Sequence, residues 1–273
     1  MDTLGFTRVG AGQTLLLLHG LGSARHVWDP VIPTLADRFD VLAVDLPGFG
    51  SSEPAPTGVE PTPAGLAEMV ADVLDQLGVA TPHVAGNSLG GWVALELAGL
   101  RPVRSLTLLS PAGMWRSETP RYQLISLRTT RWLARHAGTT LSRLLATRVG
   151  RQLVLGQTHG RPGNLTPLQA REAIAAMASG SGFDATLTAT AHRRYVAAGP
   201  IDASVTVAFG SRDRLLLKRS RYLGELPSHV LVAALPRCGH VPMYDDPRAV
   251  AALIASTALR AVRAEKFGRL ADC

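Results

Sequence analysis

Gly86-Asn87-Ser88-Leu89-Gly90 decides how the rest of this chain is read. The five residues follow a short apolar run at 83–86 and open an amphipathic stretch at 89–100, so the sequence predicts a strand, a sharp turn and a helix. A serine at the apex of such a turn stands clear of the sheet, and a glycine two residues to either side lets the flanking backbones approach. The helix N-terminus beyond it brings unpaired N–H groups and a partial positive charge. The arrangement suits a nucleophile, and the pattern gains its meaning from the strand–helix context rather than from its five letters.

Working outward, strand-like runs at 14–18, 40–45 and 104–110 alternate with helical spacing at 28–39, 63–77 and 89–100. Thr62 is a suitable N-cap, Pro63 suits the first helical position, and Gly78 follows the last turn. Continuous apolar strands alternating with helices predict a parallel sheet covered on both faces. The alternation then stops. Residues 115–200 read as helices alone, at about 121–136, 139–150, 167–179 and 184–198, before strands resume at 204–210 and 230–235 and a last helix covers 247–264. A helical block between two strands of one sheet reads as an insertion, which divides the chain into a core (1–114 and 200–273) and a helical cap or lid (115–199).

Composition supports the same boundaries. The 273 residues are 46% hydrophobic and 18% charged, with 28 Lys+Arg against 21 Asp+Glu. Residues 115–200 hold 12 arginines and three carboxylates, a net +9, whereas the remainder carries −2. A basic segment can attract an anionic substrate, an acidic carrier protein or a lipid surface, or can simply present solvated helix faces. Aromatics are 5%, and no finger or RNP-type motif appears, so nucleic acid is not an expected partner. No apolar run approaches the ~20 residues of a membrane span. Met1-Asp2-Thr3-Leu4-Gly5 has no cationic leader followed by an apolar segment, and Cys238 and Cys273 cannot build a disulfide framework. A soluble, cytoplasmic monomer or homodimer acting on a small molecule is expected, without stable membrane insertion, metal or cofactor.

A serine hydroxyl needs a base, and the base needs an orienting group. His240 lies in a loop after the run at 230–235, and Asp213 follows the run at 204–210. Ser88, Asp213 and His240 therefore all sit at the carboxyl ends of strands, where open parallel sheets form their sites. His19-Gly20-Leu21-Gly22, after the run at 14–18, can aim a backbone N–H at a developing oxyanion. The two donors are assigned to Leu21 and Leu89, with the His19 ring bracing the loop. Candidates for the substrate pocket are Met114 just before the basic block, Trp115, Tyr122, Trp132, Arg193 and Arg194 within it, and Val241 and Met243 beside His240. Most apolar residues in such helices serve ordinary packing. Cys238 reads as a buried, inert thiol.

These motifs, with Asp45-Leu46-Pro47-Gly48-Phe49-Gly50-Ser51-Ser52, resemble the α/β-hydrolase superfamily in its cap-bearing branch, over nearly the whole chain. The resemblance implies the α/β-hydrolase fold, a structural rather than catalytic Asp45, and a curtailed set of leading antiparallel strands. It also implies a serine hydrolase acting through an acyl-enzyme, with a carboxylic ester as first choice. Epoxide hydrolases and haloalkane dehalogenases carry aspartate where this chain has Ser88. A carbon–carbon bond hydrolase of the ring-cleavage diketone type is the alternative: Asn87 resembles that group and Arg193 or Arg194 can meet a substrate carboxylate, although Val241 stands where that group usually has Trp. A non-catalytic receptor on the same fold is the alternative of another class.

Overall fold

The computed structural model describes residues 4–271, leaving Met1, Asp2, Thr3, Asp272 and Cys273 outside the described residues. Strands β1 (Phe6–Gly10), β2 (Gln13–Leu18), β3 (Phe39–Val44), β4 (His83–Asn87), β5 (Ser105–Leu109), β6 (Ser204–Gly210) and β7 (Leu231–Leu235) form one sheet in the order β1-β3-β2-β4-β5-β6-β7. Only β1 is antiparallel to its neighbour; all other pairings are parallel. The central strands are mostly apolar because both their faces are covered. On β2, Leu16 and Leu18 pack into one core cluster while Leu15 and Leu17 pack into the other, and on β3 Leu42 and Val44 alternate in the same way with Val41 and Ala43. One cluster is closed by α2 (Pro63–Gln76) and α3 (Leu89–Leu100), the other by α1 (Ile32–Ala36) and α9 (Pro247–Ala271).

The strand order reverses between β2 and β4, and the crevice at that switch point lies at the carboxyl ends of both strands. Between β5 and β6 the chain forms α4 (Arg121–His136), α5 (Gly138–Leu145), α6 (Arg148–Leu155), α7 (Pro167–Ser179) and α8 (Phe183–Ala191).

Four local expectations need correction. The stretch 28–39 is a 3-10 turn at Arg25–Trp28 followed by the five-residue α1, because Pro30 and Pro33 interrupt the amide ladder. The helix expected over 139–150 is two helices: the Thr147 hydroxyl accepts from the Gly150 N–H and starts α6 afresh. The helix expected over 184–198 ends at Ala191. Beyond it, Trp115 Nε1 donates to the Arg193 carbonyl (2.8 Å) and the Tyr195 N–H to that of Gly113 (3.0 Å), so tertiary bonds hold the segment. Strand β1, absent from the sequence reading, is an exposed edge that β3 holds in place, with an Arg8–Asp40 ion pair of 2.7 Å across it.

Candidate active site

Ser88 sits between β4 and α3 with φ 54° and ψ −115°, a conformation that non-glycine residues reach only under strain of about 1–3 kcal/mol. The surroundings hold it there. Its N–H donates to the Leu109 carbonyl (3.0 Å), and its own carbonyl accepts from Gly91, Trp92 and Ala112. The flanking glycines answer to space: a Cβ on Gly86 would lie 2.2 Å from the Gly90 carbonyl oxygen, and one on Gly90 would lie 2.2 Å from that of Leu18. Helix α3 thus packs directly against the β2 and β4 backbones, which aims the turn at the switch-point crevice.

Asp213 lies in the loop after β6 and His240 in the loop after β7. Asp213 Oδ2 and His240 Nδ1 are 3.0 Å apart, and both residues are buried. An ionised carboxylate only accepts, so Nδ1 carries the hydrogen and Nε2 keeps a lone pair. That Nε2 is buried and, among the described residues, has no hydrogen-bond partner. Burial pushes the Asp213 carboxyl up, but the neighbouring imidazole, its hydrogen bond and donors from the Leu216 N–H and Ser110 hydroxyl outweigh it and hold the group below the usual carboxylate range. Asp213 Oδ1 is separately fixed by the N–H groups of Leu215 (2.9 Å) and Leu216 (2.8 Å).

The loop bearing His240 is fixed from several directions. Asn87 Nδ2 donates to the His240 carbonyl (2.9 Å) as well as to that of Leu109, and the Val241 N–H reaches the Thr158 carbonyl. The buried Asp245 carboxylate accepts from the N–H groups of Gly239 (2.7 Å), Gly160 (2.7 Å) and Arg161 (2.6 Å). In the sequence Asn87 stands out only through the family resemblance, and nothing there points to Asp245 or Ser110: Gly160 and Arg161 are 85 and 84 residues from Asp245, and Asp213 is comparably remote from Ser110.

Ser88 and His240 line one cavity of about 150 Å³, with Leu21 and Leu89 also in its wall. Among the described residues, neither the Leu21 nor the Leu89 N–H donates to a backbone carbonyl outside the regular elements, and the first N–H of a helix has no intrahelical acceptor. The His19 ring bridges Leu46 N–H (2.9 Å, at Nε2) and the Gly20 carbonyl (2.8 Å, at Nδ1), which requires a neutral imidazole; burial lowers its pKa to about 4. Asp45 is buried and spoken for by Arg25, with which it forms an ion pair, and by the Ser51 N–H. Burial pushes the Cys238 thiol up to about 12, which leaves it unreactive.

Of the pocket candidates, Trp115 and Val241 line the cavity. The others do not. Trp132 points to solvent, Met114 and Met243 are packed into the two cores, and the Tyr122 hydroxyl donates to the Leu215 carbonyl (2.8 Å). Arg193 pairs with Glu60 (3.0 Å) and Arg194 with Glu225 (2.6 Å), so neither guanidinium turns inward. Unforeseen lining residues include Gln123, Thr130, His159 and Gln169, a polar set in a mostly aliphatic wall that includes Leu127, Ile174 and Met177. His159 is buried, and burial lowers its pKa to about 4.

A model of the alpha/beta hydrolase family matches residues 15–253. Over 117 residues the chain is 44% identical to a pimeloyl-[acyl-carrier protein] methyl ester esterase of Aeromonas hydrophila, covering 41% of this chain and 44% of that protein. Over 111 residues it is 41% identical to a dihydrolipoyllysine-residue acetyltransferase component of the acetoin cleaving system of Cupriavidus necator, covering 40% and 29%. The matches span less than half the length of these curated relatives. Among solved structures, a bacterial membrane phospholipase A superposes with a TM-score of 0.73 at 26% identity, over 94% of this chain and 83% of that one. A thermophilic esterase from Thermogutta terrifontis shares the fold, with a TM-score of 0.72 at 20% identity over 94% and 93%.

Proposed function

The chain belongs to the alpha/beta hydrolase family, and on that premise we propose that it is a serine hydrolase of carboxylic esters working through Ser88, His240 and Asp213. One observation carries the reading: the strained Ser88 turn shares a cavity with an imidazole that is bonded to a carboxylate at Nδ1 and unpartnered at Nε2. His240 Nε2 takes the Ser88 proton as Oγ adds to the ester carbonyl, and the N–H groups of Leu21 and Leu89 hold the oxyanion. Collapse breaks the ester C–O bond, with His240 returning the proton to the departing alcohol. Water, deprotonated by the same nitrogen, then cleaves the acyl-serine to carboxylic acid and free Ser88. Residues 115–199 act as a cap over the core formed by 1–114 and 200–273, supplying Trp115, Gln123 and Leu127 to the cavity wall.

The wall's character supports a neutral acyl group. Among the described residues no arginine lines the cavity, whereas the carbon–carbon bond alternative called on Arg193 or Arg194 to meet a substrate carboxylate. Relatives named as esterases support the ester in turn. The test pairs wild type with Ser88→Ala on p-nitrophenyl butyrate and on a dienol-type diketone, with fluorophosphonate labelling alongside. Ester turnover and labelling that both vanish in Ser88→Ala are expected; equal slow rates in the two proteins, or faster diketone cleavage, would overturn the proposal.

A further inference from the structure

Residues 119–171 contain nine arginines and no carboxylate. Two of the nine, Arg131 and Arg151, are buried and spend their guanidinium groups on backbone carbonyls, Arg131 on those of Met177 and Gly180 and Arg151 on that of Leu145. Most of the rest face water, and they do so beside large apolar side chains. On α4, Gln123, Leu127 and Thr130 line the cavity. At 100° per residue, Ile125 and Trp132 fall on the opposite side of the helix, flanked by Arg121, Arg128 and Arg135. On α6, Val154 and Leu155 face the cavity while Val149 and Leu153 face out next to Arg148. Helix α5 packs against both, and just beyond α6 Gln157 Nε2 donates to Ser126 Oγ of α4 at 2.6 Å.

The exposures are far from incidental: Ile125 65%, Trp132 59%, Val149 71% and Leu153 75%. Single exposed apolar residues mean little, but four on two helices of one segment, interleaved with cations and with no carboxylate between 119 and 171, give it a chemical preference. The apolar side chains stand out from helix surfaces instead of lining a groove, so they suit a fluid medium that closes around them more than a shaped protein pocket. Tryptophan at a polar–apolar boundary and arginines whose alkyl stems lie along apolar surface are the composition of helices that rest in a lipid headgroup layer. No helix among the described residues is long and apolar enough to cross a membrane, which leaves contact from the side.

We propose that the outer face of α4 and α6 is a docking surface for an anionic phospholipid bilayer, with Trp132, Ile125, Val149 and Leu153 entering the headgroup region and the surrounding arginines pairing with lipid phosphates. This surface is separate from the Ser88 cavity, on the far side of the same two helices, and its test does not depend on what that cavity hydrolyses.

The experiment uses intrinsic fluorescence. Of the four tryptophans, Trp28, Trp92 and Trp115 are buried and only Trp132 is exposed, so a change of solvent around tryptophan reports this face. Titrating the whole chain with phosphatidylglycerol vesicles should shift emission to the blue and carry the protein into the vesicle pellet; phosphatidylcholine vesicles should do neither. Each arginine near an anionic surface contributes roughly fivefold to partitioning, so Arg121→Gln/Arg128→Gln/Arg135→Gln should weaken binding by about 100-fold and salt should do likewise. Ile125→Ser/Val149→Ser/Leu153→Ser should lower binding at least tenfold while leaving the melting temperature unchanged, because water already surrounds these side chains. Absence of vesicle binding, or binding indifferent to both triple variants, overturns the proposal. So does binding of an acidic carrier protein, or of a second copy of this chain, through these residues when vesicles fail to bind.

Discussion

Asp213→Asn tests the relation between carboxylate and imidazole with the fewest side effects, since the new side chain has the same shape. The structure dictates how the amide must sit. Asp213 Oδ1 accepts two backbone N–H groups, from Leu215 and Leu216, so the asparagine oxygen must take that place. Reversing the amide would set its NH2 against two donors and leave both unpaired, a cost of about 2–6 kcal/mol at 1–3 kcal/mol for each buried group. The NH2 is therefore driven toward His240 Nδ1, now 3.0 Å away with a donor where an acceptor had been. Nδ1 must give up its hydrogen, Nε2 must take one, and the imidazole can no longer receive the Ser88 proton. Loss of the correct tautomer in a serine–histidine–aspartate arrangement lowers kcat by about 10⁴, equivalent to about 5 kcal/mol of barrier. The assay is steady-state hydrolysis of p-nitrophenyl butyrate, with thermal melting to establish that the variant is folded. A folded Asp213→Asn enzyme that keeps more than a tenth of wild-type kcat would refute the reasoning, because it would show that the base is not oriented by this carboxylate.

Two further predictions follow from buried hydrogen bonds. Asn87→Ala removes the donor to the His240 carbonyl, while the Leu109 carbonyl keeps the Ser88 N–H. Urea unfolding should show a loss of about 1–3 kcal/mol; kcat should fall by about 100-fold from misplacement of the imidazole, with KM nearly constant, and an unchanged kcat would make Asn87 a purely structural residue. The second concerns pH. His19 and His159 have folded-state pKa values near 4, lowered by burial, against about 6.5 when unfolded. The unfolded chain therefore binds more protons between these values, so stability is full above pH 6.5 and declines as pH falls toward 4, by about 2 kcal/mol per histidine at pH 5. Denaturation midpoints at pH 7.5 and 5.0 measure it, and His159→Gln should remove about half of the difference; midpoints that do not move would contradict the burial argument.

What the sequence disclosed was governed by where each residue's constraint originates. Strands β2 to β6 were legible because their two-sided burial writes itself as mostly apolar runs, and α2 because helix spacing agrees with its flanking residues Thr62, Pro63 and Gly78. The site's backbone plan was legible for the same reason: Ser88, Asp213 and His240 each follow a recognisable strand. Strand β1 was hidden since all its residues are exposed and pairing with β3 alone defines it. The cavity wall was harder still. Which side of α4 turns inward depends on how the helix packs, and nothing near Trp132 in the sequence says that it faces water. Arg193 and Arg194 were attractive as inward cations only while Glu60 and Glu225, more than 130 and about 30 residues away, were not seen beside them.

The Asp245 carboxylate has a mechanical consequence. By gripping Gly239 on one side and Gly160 and Arg161 on the other, it fastens the loop that carries His240 to the loop that follows α6. Any movement of the loop after α6 would drag His240 along with it. If His240 is the base proposed above, that base and the neighbouring cavity wall at Thr158 and His159 move as a single part, and an opening that admits a molecule without disturbing the base must form elsewhere.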